Sequence, residues 1–159
     1  MMTERKDGPS RFVAAAKRLG LEVALTEHAA STRTAEEAAA ACGCAVGQIV
    51  KSLVFKGRKS GTPYMLLVSG DNRVNQKDVA AQIGEPLDRP DAGFVRELTG
   101  FAIGGIPPLG HDTPLATFMD EDLFRFEAIW AAAGSPNAVF PATPAALETA
   151  CRAKRIKVT

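Results

Sequence analysis

The chain has 159 residues, 46% of them apolar and 23% charged, and a formal net charge of +1. That length and apolar share fit one domain with its own core, needing neither metal nor disulfide to hold it. The near-zero charge speaks against a binder of long duplex DNA, no apolar run is long enough to span a bilayer, and the charged stretch at 1–7 lacks the apolar segment of a signal peptide, so the expectation is a cytoplasmic protein with no DNA or membrane partner. A small contact area for RNA is compatible with the same balance.

Taken in chain order, residues 1–9 read as a flexible N-terminus, and Ser10 as the cap of a helix over 11–19 that Gly20 stops in the left-handed conformation. Residues 21–25 alternate as a short strand. Thr34 followed by Glu37 is a capping-box pattern ahead of an alanine-rich helix to about Ala41, which Cys42-Gly43-Cys44 terminates. Residues 49–55 are β-branched and aromatic, a turn runs over 57–63, and residues 64–69 form a second strand that pairs with the first as a hairpin. Gly70-Asp71-Asn72 breaks that strand, Asn75 caps a helix over 76–83, and Gly84 closes it. A short helix is expected over 94–98, a strand-like segment at 101–103, a strand near 115–119, apolar stretches around Ile129 and at 138–140, and a last helix opened by Thr143-Pro144. Helices and strands do not alternate as in a doubly wound sheet, and a hairpin demands antiparallel pairing. The class is therefore α+β with a mixed sheet in one domain spanning 1–159.

Three cysteines, Cys42, Cys44 and Cys151, are an odd count; the C-x-C spacing with no second pair does not complete a zinc site, and small half-buried thiols are the simpler reading. Lys51 stands out, because period-two spacing places its ammonium on one face with Ile49, Leu53 and Phe55 in the most apolar strand of the chain. Two readings fit: the lysine lies at the strand's mouth and snorkels to water, or it faces a cleft and awaits an anion such as phosphate. Gly104-Gly105-Ile106-Pro107-Pro108-Leu109-Gly110 is the second unusual feature. Its glycines allow a ligand close to the backbone and its prolines stiffen the loop, so its amides suit a developing oxyanion; a plain tight turn fits the same residues. His28 and His111 are the only histidines, His111 being either a proton carrier beside that loop or a capping residue. Asp120, Glu121 and Asp122 read as a solvated turn with helix-start acids, and the basic run over 152–157 as a solvated tail.

Residues 49–55 together with the glycine–proline loop resemble the YbaK family, also called the prolyl-tRNA synthetase-associated editing domain, and the likeness extends over almost the whole chain, from the opening helix to Thr143-Pro144. The resemblance implies a barrel-like mixed sheet flanked by helices, and a free-standing deacylase that hydrolyses the ester between a small wrong amino acid (Ala, Ser, Thr or Cys) and its tRNA, with no metal or other cofactor. The partners it implies are the acceptor end of an aminoacyl-tRNA and an aminoacyl-tRNA synthetase. It gives catalytic roles to Lys51, Gly104 and Pro108, the last two from the family's GxxxP loop. Substrate contacts fall to His28, Ser52, Gly105, Ile106, Pro107, His111 and Gly134. Family members that clear alanine tend to carry asparagine where this chain has Ser52, and the cysteine-specific branch tends to carry serine where this chain has Pro107, which leaves the amino acid open. The rival reading is an inactive tRNA- or partner-binding module of the same fold, since fold alone does not guarantee activity.

Overall fold

The computed structural model describes residues 8–29 and 31–159, and its first helix, α1 (Gly8–Arg18), already includes Gly8 and Pro9. The flexible stretch expected over 1–9 is thus too long at its C-terminal end, and residues 1–7 lie outside the described residues. Proline suits a first helical turn, where a backbone donor has no partner to lose. Phe12, Ala15 and Ala16 recur at helical spacing and are buried, the Phe12 ring stacking on Phe140 at 4.8 Å. Gly20 ends the turn at φ 85°.

The alternation over 21–25 is real in burial but makes no strand. Leu21, Val23 and Leu25 pack on the core while Glu22 and Ala24 are exposed, yet pairing begins only at β1 (Thr26–Glu27). An extended segment without a neighbouring ladder keeps the period of a strand and not its hydrogen bonds.

Helix ends follow side-chain chemistry closely. Thr34 accepts from the Glu37 amide at 3.1 Å to open α2 (Ala35–Cys42), and Gly43 closes it at φ 67°. Asn75 accepts from Asp78 N at 3.2 Å to open α3 (Gln76–Ile83), closed by Gly84. Asp91 caps α4 (Ala92–Thr99), so this helix starts earlier than the apolar pattern alone indicates. Thr143 caps α5 (Pro144–Cys151). Each such cap contributes about 1 kcal/mol.

The remaining strands are β2 (Ile49–Gly57), β3 (Pro63–Ser69), β4 (Leu87–Asp88), β5 (Ala116–Asp120), β6 (Ile129–Ala132), β7 (Ala138–Ala142) and β8 (Lys154–Ile156). Residues 101–103 are not among them: Thr99 Oγ1 accepts from the Phe101 amide at 3.1 Å, which folds the chain into a turn straight after α4. The eight strands form one sheet in the order β1-β7-β6-β2-β3-β5-β8, with β4 pairing the end of β2. β2 and β3 make the expected antiparallel hairpin; β2–β6, β3–β5 and β5–β8 are parallel. The fold is therefore α+β with a mixed sheet. Among the described residues hydrogen bonding does not close the sheet, whose path ends at β1 and β8. One face of it nevertheless wraps the main core, which takes Val50 and Val54 from β2, Met65 and Leu67 from β3, Met119, Ala131 and Phe140. The opposite face, with Phe55, Leu66 and Val68, packs a second core against Val79 of α3.

Two polar stretches differ from their sequence reading. The basic run is not merely solvated: residues 154–156 add an edge strand to β5, Ile156 and Val158 are buried, and Arg155 pairs with Glu148 at 3.1 Å while lying over the Phe124 ring. Of the acidic trio only Glu121 is exposed, and Asp120 is 1% exposed, because the end of β5 delivers it to the amides at the end of β3.

Candidate active site

The sheet splits at β2. On one side β3 pairs with it throughout, from Val50 to Lys56. On the other, β6 pairs only with Ile49 and Val50, and β4 only with Lys56 and Gly57. Residues 51–55 therefore have a free edge on that side, and a cavity of about 280 Å³ opens against it. Its lining is mainly aliphatic, with Val50, Val54, Val95, Ile106, Ala131 and Val139 among the wall residues. Lys51 and Ser52 line it too, although they belong to opposite faces of the sheet.

Lys51 donates from Nζ to the Asn72 carbonyl at 2.6 Å. Its pKa is lowered, chiefly because burial penalises the ammonium; Glu36, Asp71 and Asp120 push it back up and Arg73 opposes them. Burial and neighbouring carboxylates thus act against each other on one cavity-lining cation. Ser52 Oγ is buried and has no hydrogen-bond partner among the described residues. Such a group is costly unless something else meets it.

The glycine–proline loop closes the cavity through Gly104 and Ile106. Gly104 has φ 99°, a region that favours glycine, and a Cβ there would sit 2.7 Å from Arg33 Cγ, so the Arg33 side chain lies over this residue. Gly105 is wedged against a neighbouring turn: a Cβ would fall 2.6 Å from the Ser135 carbonyl carbon, and its own carbonyl accepts from Gly134 N at 2.9 Å. The Gly105 amide is committed to Ala102 O at 3.1 Å, and prolines carry no N–H. Of the loop's amides over 104–108, only those of Gly104 and Ile106 have no hydrogen-bond partner among the described residues.

The other sequence-derived residues are placed differently. Pro108 and His111 line a separate cavity beyond the loop, beside Arg18, Leu19 and Cys151. His111 is held there by a 2.7 Å bond from Nε2 to the Pro107 carbonyl, and burial lowers its pKa. Gly134 supports the loop through its amide, and Pro107 does so through that carbonyl. His28 lies beside the same turn, its amide donating to Asn137 O at 2.8 Å, and its Nε2 is buried with no partner among the described residues. The structure thus gathers Lys51, Ser52, Gly104 and Ile106 at one cavity, with Gly105, Pro107 and Gly134 bracing the loop behind it.

Three lining residues carry no local sequence signal. Arg33 and Arg89 are exposed cations bordering the cavity, and Trp130 is an aromatic side chain in its wall. The parallel pairing of Ile49 with Trp130, the approach of Arg33 to Gly104 and the seat of the Arg89 guanidinium over the Phe55 ring bring them there. Elsewhere the thiols are quiet: Cys42 is pushed up to about 11 by burial and by Cys44, and Cys151 to about 12 by burial. Among the described residues no three His, Cys, Asp or Glu side chains converge to hold a metal ion. No helix in that set is long and apolar enough to cross a membrane.

This mixed sheet, split around a lysine-bearing cavity that a glycine–proline loop closes, has counterparts among solved structures. A crystal structure of a candidate trans-editing enzyme for prolyl-tRNA synthetase superposes with a TM-score of 0.91 at 46% identity, covering 98% of this chain and 99% of that one. The aminoacyl-tRNA editing domain profile matches residues 29–150, and the chain belongs to that family. Among similar proteins, YwhH of Bacillus subtilis is 33% identical over 121 residues, 76% of either chain. EbsC of Enterococcus faecalis, a candidate Cys-tRNA(Pro)/Cys-tRNA(Cys) deacylase, is 27% identical over 115 residues, 72% of this chain and 70% of its own. Membership makes this an aminoacyl-tRNA deacylase-family hydrolase.

Proposed function

We propose that the protein is a trans-editing hydrolase that removes a small amino acid, of the Ala, Ser, Thr or Cys class, from a mischarged tRNA. The observation that carries this reading is the Lys51 ammonium in the wall of a small, mostly aliphatic cavity closed by Gly104 and Ile106. A volume of about 280 Å³ is at the low end for ligand pockets, which run from about 300 Å³ upward, so it suits a small acyl group rather than a bulky one. Arg33 and Arg89 at its border suit the phosphates of an acceptor end.

In this reading Lys51 neutralises negative charge at the terminal adenosine, and the unspent amides of Gly104 and Ile106 stand near the ester carbonyl. A water, oriented by the adjacent ribose hydroxyl, attacks that carbon and the acyl–oxygen bond breaks; the water oxygen stays on the amino acid as its carboxylate and a proton goes to the tRNA, which leaves as its free hydroxyl. No step calls on a metal. Aliphatic walls separate single methylenes by only ~1–3 kcal/mol, which is the gap that editing enzymes exist to cover. A synthetase that releases the mischarged tRNA is the partner this reading implies. The test is a panel of tRNAs mischarged with Ala, Ser, Thr and Cys. Release of at least one amino acid is expected, with competition from uncharged tRNA; no release from any member would overturn the proposal.

A further inference from the structure

Asp120 is 1% exposed, yet no Lys or Arg forms an ion pair with it among the described residues. Its three hydrogen bonds come from uncharged donors: Ser69 N at 3.0 Å and Asn72 Nδ2 at 2.8 Å on Oδ2, and Asp122 N at 2.9 Å on Oδ1. A buried carboxylate is costly to keep, and three neutral donors offset that cost only in part. Asn72 joins this anion to the cavity. Its side-chain amide donates to Asp120 and also to Asp122 Oδ2 at 2.8 Å, while its backbone carbonyl accepts from Lys51 Nζ at 2.6 Å. The turn carrying Asn72 is fixed at both ends, by Asn72 N to Ser69 O at 2.9 Å and by Ser69 Oγ to Gly47 O at 2.6 Å.

We infer that Asp120 and Asn72 are positioning residues for Lys51: the Asp120 carboxylate pins the Asn72 amide, and the pinned residue's carbonyl holds the lysine ammonium at the cavity wall. Two observations support it independently. One is the continuous chain of short hydrogen bonds from Asp120 through Asn72 to Lys51. The other is the sign of the field at Nζ, where Asp120 adds to Glu36 of α2 and Asp71 of the turn in favouring the charged lysine, against burial and Arg73. Asn72 does not reach the cavity, so its effect on the reaction passes through Lys51. The catalytic consequence rests on the deacylase reading above; the hold on the ammonium does not.

Asp120→Asn keeps the shape and removes the charge, whereas Asn72→Gly keeps the carbonyl and removes the amide. Two readouts separate the claims. The first is acetylation of Lys51 by acetic anhydride in the free protein across pH, followed by mass spectrometry, which reads the fraction of neutral amine without any tRNA. The second is the pH dependence of kcat on a mischarged tRNA. With Asp120→Asn, labelling of Lys51 at pH ~8 should rise about threefold or more and the alkaline limb of kcat should move to lower pH, since each pKa unit is tenfold in neutral amine. With Asn72→Gly, kcat should fall about fivefold or more with KM little changed, as expected when a group acting only in the transition state is misplaced. If either variant fails to fold by circular dichroism, Asp122→Ala, which removes the second acceptor of the Asn72 amide, takes its place. Folded variants with wild-type labelling and wild-type kcat profiles would overturn the inference. A shifted labelling profile in a protein that deacylates no tRNA would uphold the hold on Lys51 and overturn the deacylase reading instead.

Discussion

Replacing Lys51 by Met removes the ammonium and keeps an unbranched apolar stem of similar reach, so the wall of the cavity keeps its shape. In the free protein the change deletes one 2.6 Å bond to the Asn72 carbonyl and, with it, the burial that lowers the lysine pKa. The lost bond destabilises and the relieved desolvation stabilises. Their net should stay within ~1 kcal/mol, a shift of ~2–4 °C in Tm for a chain of this length. Catalysis has no such offset. If Lys51 makes one charge-assisted hydrogen bond to the transition state, worth ~1.5–3 kcal/mol, the rate should fall ~10- to ~150-fold. Single-turnover deacylation of a mischarged tRNA at saturating enzyme, paired with thermal melting, reads both quantities. Lys51→Met turning over within about twofold of wild type, a difference of only ~0.4 kcal/mol in the barrier, would refute a role for the ammonium in the reaction.

The loop offers a contrast of neighbours. Gly104→Ala carries the strain of φ 99° but meets only the flexible Arg33 side chain, so it should cost ~1–2 kcal/mol of stability. Gly105→Ala meets the Ser135 backbone at 2.6–2.9 Å, which cannot swing away, so it should lower Tm at least as much and abolish activity as the loop lifts from its brace; an unchanged melt for Gly105→Ala would refute that packing. His111 gives a pH signature. Its folded pKa lies below the ordinary value, so between the two the unfolded chain binds the extra proton, and stability rises with pH through that window and is lost on acidification below ~6.5. His111→Gln should flatten the melting curve against pH there, and an unaltered slope would count against it. The thiols, with Cys42 near 11 and Cys151 near 12, should react slowly with iodoacetamide at neutral pH in the native protein and readily after unfolding; fast native alkylation would contradict the burial.

What could be read from the sequence was what is decided within a few residues. Asn75 and Gly84 bound α3, and Thr143-Pro144 opens α5, because a cap is a bond between neighbours in the chain. The hairpin of β2 and β3 is equally local. Residues 21–25 and 101–103 were misread for the complementary reason: a strand exists only if another lies beside it, and alternation cannot report that. Asp120 shows the same limit in polar form. Three acids in a row look solvated, and only the parallel pairing of β3 with β5 brings this one to the Ser69 amide. Of the site, Lys51 and the Gly104 loop were legible because an ammonium in an apolar strand and paired glycines before prolines are locally odd. Arg33, Arg89 and Trp130 look ordinary where they stand in the chain.

The position of the cavity follows from where β2 loses its neighbour. In an unbroken sheet Lys51 and Ser52 would face opposite layers, and no single ligand could touch both. Here β6 leaves β2 after Val50 and β4 joins only at Lys56, so the intervening edge is the floor of the cavity and successive residues of either face border it. The same interruption leaves backbone groups of residues 51–55 without strand partners on that side, in a place lined mostly by aliphatic side chains. Unpaired backbone in such surroundings is tolerated where a ligand or water completes it. A substrate with an ester carbonyl and an α-amino group brings both an acceptor and a donor to that edge. The split is thus the feature that lets one strand present a cation, a hydroxyl and open main-chain groups to one cavity, as the proposed small acyl substrate requires. Extending β6 pairing by two residues would cover the edge beside Lys51 and Ser52 while leaving every named side chain in the sequence.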